Sequence, residues 1–337
     1  MFEAAPEIGG RARSLNWSVK SPDGGFHEVQ IDNGQHLLVG AYRETLALLE
    51  RLGGVELQLF KRIPFTLSSD RGLRFKASDA NAPWHLVHGL LRARGLQWGD
   101  RISIARLGVT MKLRGWKTAP GLTVAQLLSD AQQTEAVQRR VWNPLCLAAL
   151  NTPPTKACAA SFAAVLRDTL GSDEARASDM LVPALPLGET LPKLAAQFLL
   201  RHHGIIRRSH LVRSIQSGPT VDLEPFDGVV VALAAHSARR LLGAQVPELP
   251  TESIQTLWLL FAPGIFEPHC LTLMEDGPGE WLFTRTEANG TTLASVVISA
   301  AARATDRAGL IQSCLSQLEQ VLAQQGRPTR LDGARVL

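Results

Sequence analysis

Apolar residues recur with two different periods along the chain, and the change from one period to the other predicts where strands end and helices begin. A period of two favours strands, and apolar residues three and four apart favour amphipathic helices. The turn-forming residues 21–25 and 68–72 each lie between two alternating stretches, which predicts two hairpins. Strands are predicted at residues 15–19, 26–31, 65–67, 73–75, 205–215, 220–223, 229–233, 257–261, 271–274, 281–285 and 294–299.

Helical spacing dominates the middle and the end of the chain. The stretch 229–233 is apolar throughout and begins with three β-branched valines, and the short helix predicted after it suits a buried strand followed by its crossover. Gly53, Gly171 and Gly204 would each end a helix. Helices are predicted at residues 37–52, 157–170, 190–203, 237–242 and 306–324, with a longer helical region from 83 to about 138.

Composition describes a globular protein long enough for two domains. The chain has 337 residues, of which 45% are hydrophobic and 20% charged. The net charge is +4 without any block of five like charges, so nucleic acid is not a predicted partner, whereas weak attraction to anionic lipid headgroups is compatible with the charge.

The cysteines and the apolar runs indicate where the protein works. Cys146, Cys158, Cys270 and Cys314 are far apart and form no C-x-x-C motif, which is typical of reduced thiols. No apolar run is long enough to cross a bilayer, and an acid and a proline soon after Met1 do not resemble a signal peptide. We predict a cytoplasmic protein with, at most, peripheral contact with the inner membrane.

Candidate chemistry begins near the amino end, where Glu3 precedes Gly9, Gly10, Arg11 and Arg13. A carboxylate can accept hydrogen bonds from both hydroxyls of a ribose. Backbone N–H groups of glycine can approach a pyrophosphate closely, and arginine neutralises it with forked donors. The pattern suits an adenosine diphosphate group, but spacing alone favours an ordinary turn followed by solvated arginines.

Three segments resemble known sequences. Glu3 followed by Gly9-Gly10-Arg11 is similar to the second-strand segment of the flavin amine oxidase and carotenoid desaturase superfamily. Residues 32–38 (DNGQHLL) and 142–153 (WNPLCLAALNTP) resemble one branch of it, the squalene-associated FAD-dependent desaturases or hydroxysqualene dehydroxylases. The resemblance implies FAD as cofactor and a long apolar triterpene as substrate.

The same resemblance implies an α/β (α+β) fold with a Rossmann-like FAD/NAD(P)-binding domain and an inserted substrate domain of helices and antiparallel sheet. It places a partial FAD-binding domain at residues 1–55 and 205–245, the substrate domain at 56–204 and 246–325, and a frayed tail at 326–337. Family members carry a strand and a G-x-G-x-x-G turn before the ribose acid, and a Gly-Asp segment near their end. Since neither is in this sequence, we expect a nucleotide fold that lacks its first strand and its final helix.

The resemblance also assigns residues to the cofactor. It places the loop that holds Gly34, Gln35 and His36 beside the flavin ring, and the backbone of Val212 beside adenine. His36 is the candidate catalytic acid, because imidazole can be protonated near neutral pH. Without the resemblance, the residues favour a turn at a helix start, with His36 as a structural histidine.

The segment from Trp142 carries the predicted substrate channel, formed by Trp142, Asn143, Pro144, Leu145 and Asn151. Pro144 should interrupt the helix, and an apolar helix bearing tryptophan can line a tunnel for a hydrocarbon, which the resemblance supports. Sequence alone favours buried core instead.

No metal site is predicted. His85 and His88 lie one helical turn apart, but no third ligand is evident from the sequence.

The resemblance implies the reaction as well. It points to reduction of hydroxysqualene to squalene in hopanoid biosynthesis, with hydride delivered from a reduced flavin as the hydroxyl leaves an allylic carbon. Two alternatives stay open: a non-catalytic fragment that keeps the triterpene-binding lobe, and a phytoene-desaturase-like enzyme acting on a carotenoid polyene.

Overall fold

The computed structural model describes residues 1–20, 26–266, 271–287, 290–300, 306–324, 326, 331 and 335–336, and every structural statement below concerns these residues. Its strands are β1 Ser14–Lys20, β2 Phe26–Asp32, β3 Leu38–Val39, β4 Phe60–Ile63, β5 Thr66–Ser68, β6 Arg74–Lys76, β7 Met180–Pro183, β8 Ile215–Gln216, β9 Thr220–Val221, β10 Glu224–Pro225, β11 Gln255–Phe261, β12 Leu271–Leu273, β13 Trp281–Thr286, β14 Thr292–Ile298 and β15 Arg335–Val336.

Its helices are α1 Arg43–Arg51, α2 Glu56–Leu59, α3 Trp84–Arg92, α4 Trp98–Leu113, α5 Val124–Asp130, α6 Glu135–Val137, α7 Asn143–Leu150, α8 Ala159–Asp168, α9 Leu191–Arg201, α10 Ala235–Leu242 and α11 Arg307–Gln324. A π-helical turn, Gln138–Trp142, leads into α7, and 3₁₀ turns lie at Gly10–Ala12, Ala175–Ser178, Leu187–Glu189 and Gly243–Gln245.

The chain divides into two compact units. Unit 1 comprises residues 1–33, 47–59 and 185–251, and unit 2 comprises residues 34–46, 60–184 and 252–337. The assignment of a nucleotide domain and a substrate domain to particular residue ranges stays a prediction.

Unit 1 is organised around the predicted first hairpin. Strands β1 and β2 pair antiparallel from Ser14 opposite Asp32 to Lys20 opposite Phe26, and the predicted turn 21–25 lies outside the described residues. Asp32 closes the open end of the hairpin: it accepts a hydrogen bond from Ser14 Oγ at 3.2 Å and another from the N–H of Leu187 at 2.9 Å. One carboxylate thus ties the hairpin to the segment that precedes α9.

Two strand predictions in unit 1 are wrong. Residues 229–233 pair with no strand in the described part of the chain, and the side chain of Val230 is 92% exposed. Within 205–215, the described structure contains a parallel bridge between Phe2 and Arg207 and then β8, which starts at Ile215. β-branched residues form a strand where neighbouring strands supply hydrogen-bond partners and packing, which propensity alone cannot reveal.

Unit 2 is built on a five-stranded antiparallel sheet in the order β12-β13-β14-β11-β15. All seven residues of β14 are buried because both faces of the sheet are covered. Ala294, Val296 and Ile298 share a core with α11, and Val297 belongs to a second core with helices α4, α5, α7 and α8. The strands predicted from 257 to 299 and the last helix are confirmed.

The remaining predictions in unit 2 are mostly confirmed. The second hairpin is present as β5 and β6, and residues 83–138 hold α3 to α6. The helix predicted at 37–52 starts at Arg43, because Leu38–Val39 pair with β7 in a small sheet. At the far end, Arg335–Val336 pair with β11, and most of the predicted frayed tail lies outside the described residues.

Candidate functional site

A cavity of about 650 Å³ in unit 1 brings together two residues that are distant in sequence, Glu3 and Val212. The N–H of Glu3 donates to the carbonyl of Arg207 at 2.9 Å, and the N–H of His210 donates to the carbonyl of Glu3 at 2.9 Å. These bonds hold residues 2–4 alongside residues 207–210. Glu3 is half-buried, and its Oε1 accepts a hydrogen bond from the N–H of Ala5 at 2.9 Å.

Asp222 holds the segment that carries Val212. Its Oδ1 accepts hydrogen bonds from the N–H groups of Arg213 and Ser214, both at 2.9 Å, and its Oδ2 lies 3.3 Å from Nε2 of His210. The bond from the N–H of Arg213, followed by that from Ser214, lowers the pKa of the Asp222 carboxyl. No sequence pattern indicates Asp222, because nothing in the sequence pairs an acid with backbone groups eight and nine positions earlier.

The predicted pyrophosphate turn does not line this cavity. Gly9 and Gly10 have φ of 115° and 56°, which glycine adopts without strain, and they lead into the 3₁₀ turn Gly10–Ala12. A Cβ on Gly9 would lie 3.0 Å from Cγ of Pro192, so this glycine also permits close packing at the start of α9.

The two arginines of the turn differ. Arg11 is exposed, whereas Nε of Arg13 is buried and has no hydrogen-bond partner in the described part of the chain. Buried guanidinium donors normally have an acceptor. Arg13 therefore suits an anionic group such as a phosphate.

The loop predicted to face the flavin ring belongs to unit 2 and leads into β3. Gly34 has φ of 109°, and a Cβ there would meet Thr256 Oγ1 at 3.8 Å. Gln35 accepts a hydrogen bond from Ser295 Oγ of β14 at 2.8 Å and donates one to the carbonyl of His36 at 3.0 Å. His36 is half-buried, and the hydrogen bonds of Gln35 fix the backbone beside it.

A second cavity, of about 330 Å³, lies within unit 2 and is almost wholly apolar. Its walls come from α3, α4, α7, α8 and the hairpin β5–β6. Among the described residues that line it, Lys112, Ser172 and Asp173 are the polar ones. Lys112 Nζ lies 3.5 Å from Asp173 Oδ1 and both side chains are exposed, which places this pair at the rim.

Trp142 and Leu145 line this apolar cavity. The indole Nε1 of Trp142 donates to Gln133 Oε1 at 2.8 Å, and Gln133 donates in turn to the carbonyl of Ser103 at 2.7 Å. Because Gln133 is buried and engages the polar edge of the indole, the cavity meets the carbon atoms of the ring.

The other three predicted channel residues do not line the cavity. Asn143 begins α7 directly after the π-helical turn, and Pro144, which has no N–H to donate, is the second residue of that helix. The interruption predicted from Pro144 is present as the preceding π-helical turn. Asn151 ends α7 with φ of 46°, donates to the carbonyl of Glu252 at 3.2 Å and accepts from the N–H of Ala300 at 2.9 Å.

Trp116, which no sequence pattern indicates, also lines this cavity. A Cβ on Gly171 would lie 2.1 Å from Cζ2 of Trp116, so the ring of Trp116 packs directly against the backbone of Gly171. The sequence predicts Gly171 only as the end of a helix, and it carries no signal that the segments holding Trp116 and Gly171 meet.

Among the described residues, no group of three or more His, Cys, Asp or Glu side chains could hold a metal ion. His85 is buried, with Nε2 3.3 Å from Ser178 Oγ, and burial lowers its pKa. His88 on the next turn is exposed. In the same part of the chain, no helix has both the length and the hydropathy needed to cross a membrane.

Comparison with known proteins gives one family and two curated relatives. The sequence model of the family described as flavin containing amine oxidoreductase matches residues 1–335. The chain is 24% identical over 314 residues to a hydroxysqualene dehydroxylase of Zymomonas mobilis, covering 84% of this chain and 67% of the relative. It is 23% identical over 312 residues to a hydroxysqualene dehydroxylase of Sinorhizobium fredii, covering 88% and 70%.

A solved structure shares the fold. An oxidoreductase from Methanosarcina mazei superposes with a TM-score of 0.65 at 15% identity, covering 100% of this chain and 80% of that one. At this identity the likeness concerns the fold alone, which is a mixed α/β fold with antiparallel sheets, as predicted.

Proposed function

The chain belongs to the flavin-containing amine oxidoreductase family, and from that premise we propose that it reduces hydroxysqualene to squalene. It is an oxidoreductase with FAD as its cofactor. Two curated relatives that bear the name hydroxysqualene dehydroxylase support the choice of substrate. Hopanoid biosynthesis is the setting that this reaction implies.

The apolar cavity of unit 2 carries the proposal. A triterpene alcohol is a long hydrocarbon with one hydroxyl, so its affinity must come from burial of apolar surface. The cavity offers walls such as Leu107, Met111, Trp142 and Leu166, with the polar pair Lys112 and Asp173 at the rim. A polar substrate would find few hydrogen-bond partners on such walls.

Residues of unit 1 fit the nucleotide part of the cofactor. Glu3 and Val212 line one cavity, where the carboxylate of Glu3 would accept hydrogen bonds from ribose hydroxyls. The buried Nε of Arg13, which has no acceptor in the described part of the chain, would donate to a phosphate oxygen. Gly9, Gly10 and Arg11 stay candidate pyrophosphate contacts.

The chain's own residues have two tasks in the reaction. Reduced FAD, when bound, supplies hydride. The allylic C–O bond breaks, the carbon gains the hydride, and the departing hydroxyl takes a proton and leaves as water. We assign that proton to His36, whose loop is anchored through Gln35 to Ser295, while the apolar cavity keeps water away from the hydrocarbon.

The test is conversion of substrate by purified protein. We expect the protein to show the visible absorption of oxidised flavin and, after anaerobic reduction, to convert hydroxysqualene into squalene detected by mass spectrometry. Folded protein without flavin would contradict the proposal, and so would desaturation of phytoene without reduction of hydroxysqualene.

A single variant tests the role of His36 as the proton donor. His36→Gln should lower kcat on the order of a hundredfold or more, with flavin content unchanged. A kcat near the wild-type value would assign the proton to another group.

A further inference from the structure

Helix α4 has two apolar faces, and one of them is exposed. Leu107 and Met111 point into the core of unit 2. Trp98, Ile102, Val109 and Leu113 are between 60% and 83% exposed. At roughly 100° per residue these four side chains fall within roughly 60° of arc, nearly opposite the buried face. A helix face that only meets water is normally polar.

Helix α3 extends this exposed face. Trp84, Val87 and Leu91 recur at the spacing of one helix face, and all three are exposed. Arg101 joins the helices, because its Nη1 donates to the carbonyl of Leu91 at 2.6 Å while its Cζ lies 4.8 Å from the ring centroid of Trp98. We name these residues the α3–α4 apolar surface: Trp84, Val87, Leu91, Trp98, Ile102, Val109 and Leu113.

The same two helices form a wall of the apolar cavity. Val87 and Val109 both line the cavity and belong to the α3–α4 apolar surface. Side chains that are exposed and also line a cavity mark its opening. The cavity therefore opens within the exposed apolar surface.

The net charge of the segment that holds α3 and α4 indicates which kind of surface the α3–α4 apolar surface would bind. Residues 84–117 contain seven Lys or Arg residues and one acid, Asp100. Asp100 is buried and accepts a hydrogen bond from Thr134 Oγ1 at 2.6 Å, so it does not offset the basic surface. The exposed basic residues are Arg92, Arg94, Arg106, Arg114 and Lys117, together with Lys112, which is paired with Asp173.

We propose that the α3–α4 apolar surface docks on an anionic lipid bilayer, with both helices lying in the interface. Apolar residues, tryptophan and surrounding cations are the combination that binds such a surface. A second copy of the chain would bring two basic surfaces together, which like charges oppose. The identity of the lipid that then enters the cavity rests on the proposed function, but docking does not.

The test is flotation with phosphatidylglycerol–phosphatidylcholine vesicles. The variant pair Ile102→Asp and Leu113→Asp removes two surface side chains that do not line the cavity. We expect the wild type to bind these vesicles, more weakly without phosphatidylglycerol or at high salt, and the double variant to bind about tenfold or more weakly. Leu57→Asp with Leu200→Asp, two exposed leucines on α2 and α9, is the matched control and should bind like the wild type.

Two outcomes would overturn the proposal, given variants whose circular dichroism melts match the wild type. One is equal vesicle binding by wild type and double variant, including absence of binding by both. The other is a wild-type dimer in lipid-free solution that becomes a monomer in the double variant, which would make the surface an interface between copies.

Conversion of hydroxysqualene in detergent micelles separates this proposal from the proposed function. Vesicle binding without conversion of hydroxysqualene would contradict the proposed function alone. Conversion in micelles by a protein that does not bind vesicles would contradict the docking proposal alone.

Discussion

Gly108 of α4 borders the apolar cavity, and a Cβ built on it meets no atom within 4 Å. A leucine there would project into the open space beside the cavity, so we expect Gly108→Leu to weaken binding of a squalene analogue about tenfold. The same change should stabilise α4 by up to about 1 kcal/mol, because glycine is a poor helix former. Displacement of a fluorescent lipid and a thermal melt measure the two effects.

Gly99 provides the matched control for that change. It lies on the same helix, a Cβ there also meets no atom within 4 Å, and it does not line the cavity. Gly99→Leu should leave lipid affinity unchanged. Equal affinity in both leucine variants and the wild type would show that the cavity does not hold the ligand.

The cysteines differ in their protonation. Burial raises the pKa of Cys146 and of Cys314 to about 11, whereas hydrogen bonds from Ser161 lower the pKa of the exposed Cys158. The thiolate is the reactive form, so Cys158 should react with a thiol reagent first at neutral pH, and the buried pair only after unfolding or near their pKa. Peptide mass mapping of labelled Cys270→Ser protein tests this order, because Cys270 lies outside the described residues. Labelling that persists in native Cys158→Ser protein would contradict it.

At the residue scale, the family resemblance assigned Glu3 and Val212 to one cofactor, which residue spacing alone would not have done. Both residues line one cavity of unit 1, and their role toward the cofactor stays a prediction. Asn151 shows the opposite case. Its left-handed backbone and its two hydrogen bonds to distant loops depend on tertiary contacts that a linear pattern does not contain.

At the element scale, the contrast between β14 and residues 229–233 shows what an apolar run can predict. Both are rich in β-branched residues, but β14 has β11 and β13 as hydrogen-bonded neighbours, with a core on each face. Residues 229–233 have no ladder partner in the described structure. The sequence reports the tendency to form a strand, and the neighbours decide whether one forms.

Asp222 gives an element-scale prediction, since one side chain holds the loop at residues 210–214. In Asp222→Ala the N–H groups of Arg213 and Ser214 lose their acceptor, so we expect their hydrogen exchange to quicken on the order of tenfold. Asp222→Asn keeps an amide oxygen at that position and a residue that tolerates the φ of 47°, so it should stay near the wild-type rate.

The stability that Asp222 gives to the loop at residues 210–214 should depend on pH in one direction. Because hydrogen bonds lower the pKa of Asp222 in the folded protein, its stabilising effect is present above the pKa of the unfolded carboxyl. It is lost as the pH falls through the folded value. Exchange at these two amides that is equal in the alanine variant and the wild type would contradict the assigned role.

At the scale of the whole molecule, the two units differ in how much apolar surface they bury. Both large buried clusters belong to unit 2. Unit 1 buries a smaller described set, with Val19, Val29, Ile31 and Leu49 among its largest members. Denaturant should therefore expose the amides of β1 and β2 before those of β11 and β14. Hydrogen exchange followed by mass spectrometry in rising urea measures the order, and simultaneous exposure of both strand pairs would indicate one cooperative unit instead.

The family was predictable from three short segments, because unusual motifs such as residues 142–153 are specific even when the rest of the chain is ordinary. The match across residues 1–335 confirms it. The domain ranges are still predictions, since a motif identifies a relative without fixing where the chain crosses between units.

The hydrogen bond from Trp142 to Gln133 has a consequence for substrate choice. Because Gln133 already accepts the hydrogen bond of the indole N–H, a molecule bound in the cavity contacts carbon atoms almost everywhere. Such a site distinguishes molecules by length and branching, and it rejects a single added polar group only weakly. Under the proposed function, chemical selectivity then arises at the reacting carbon, and saturated or fluorinated mimics of the same length should compete as well as hydroxysqualene does.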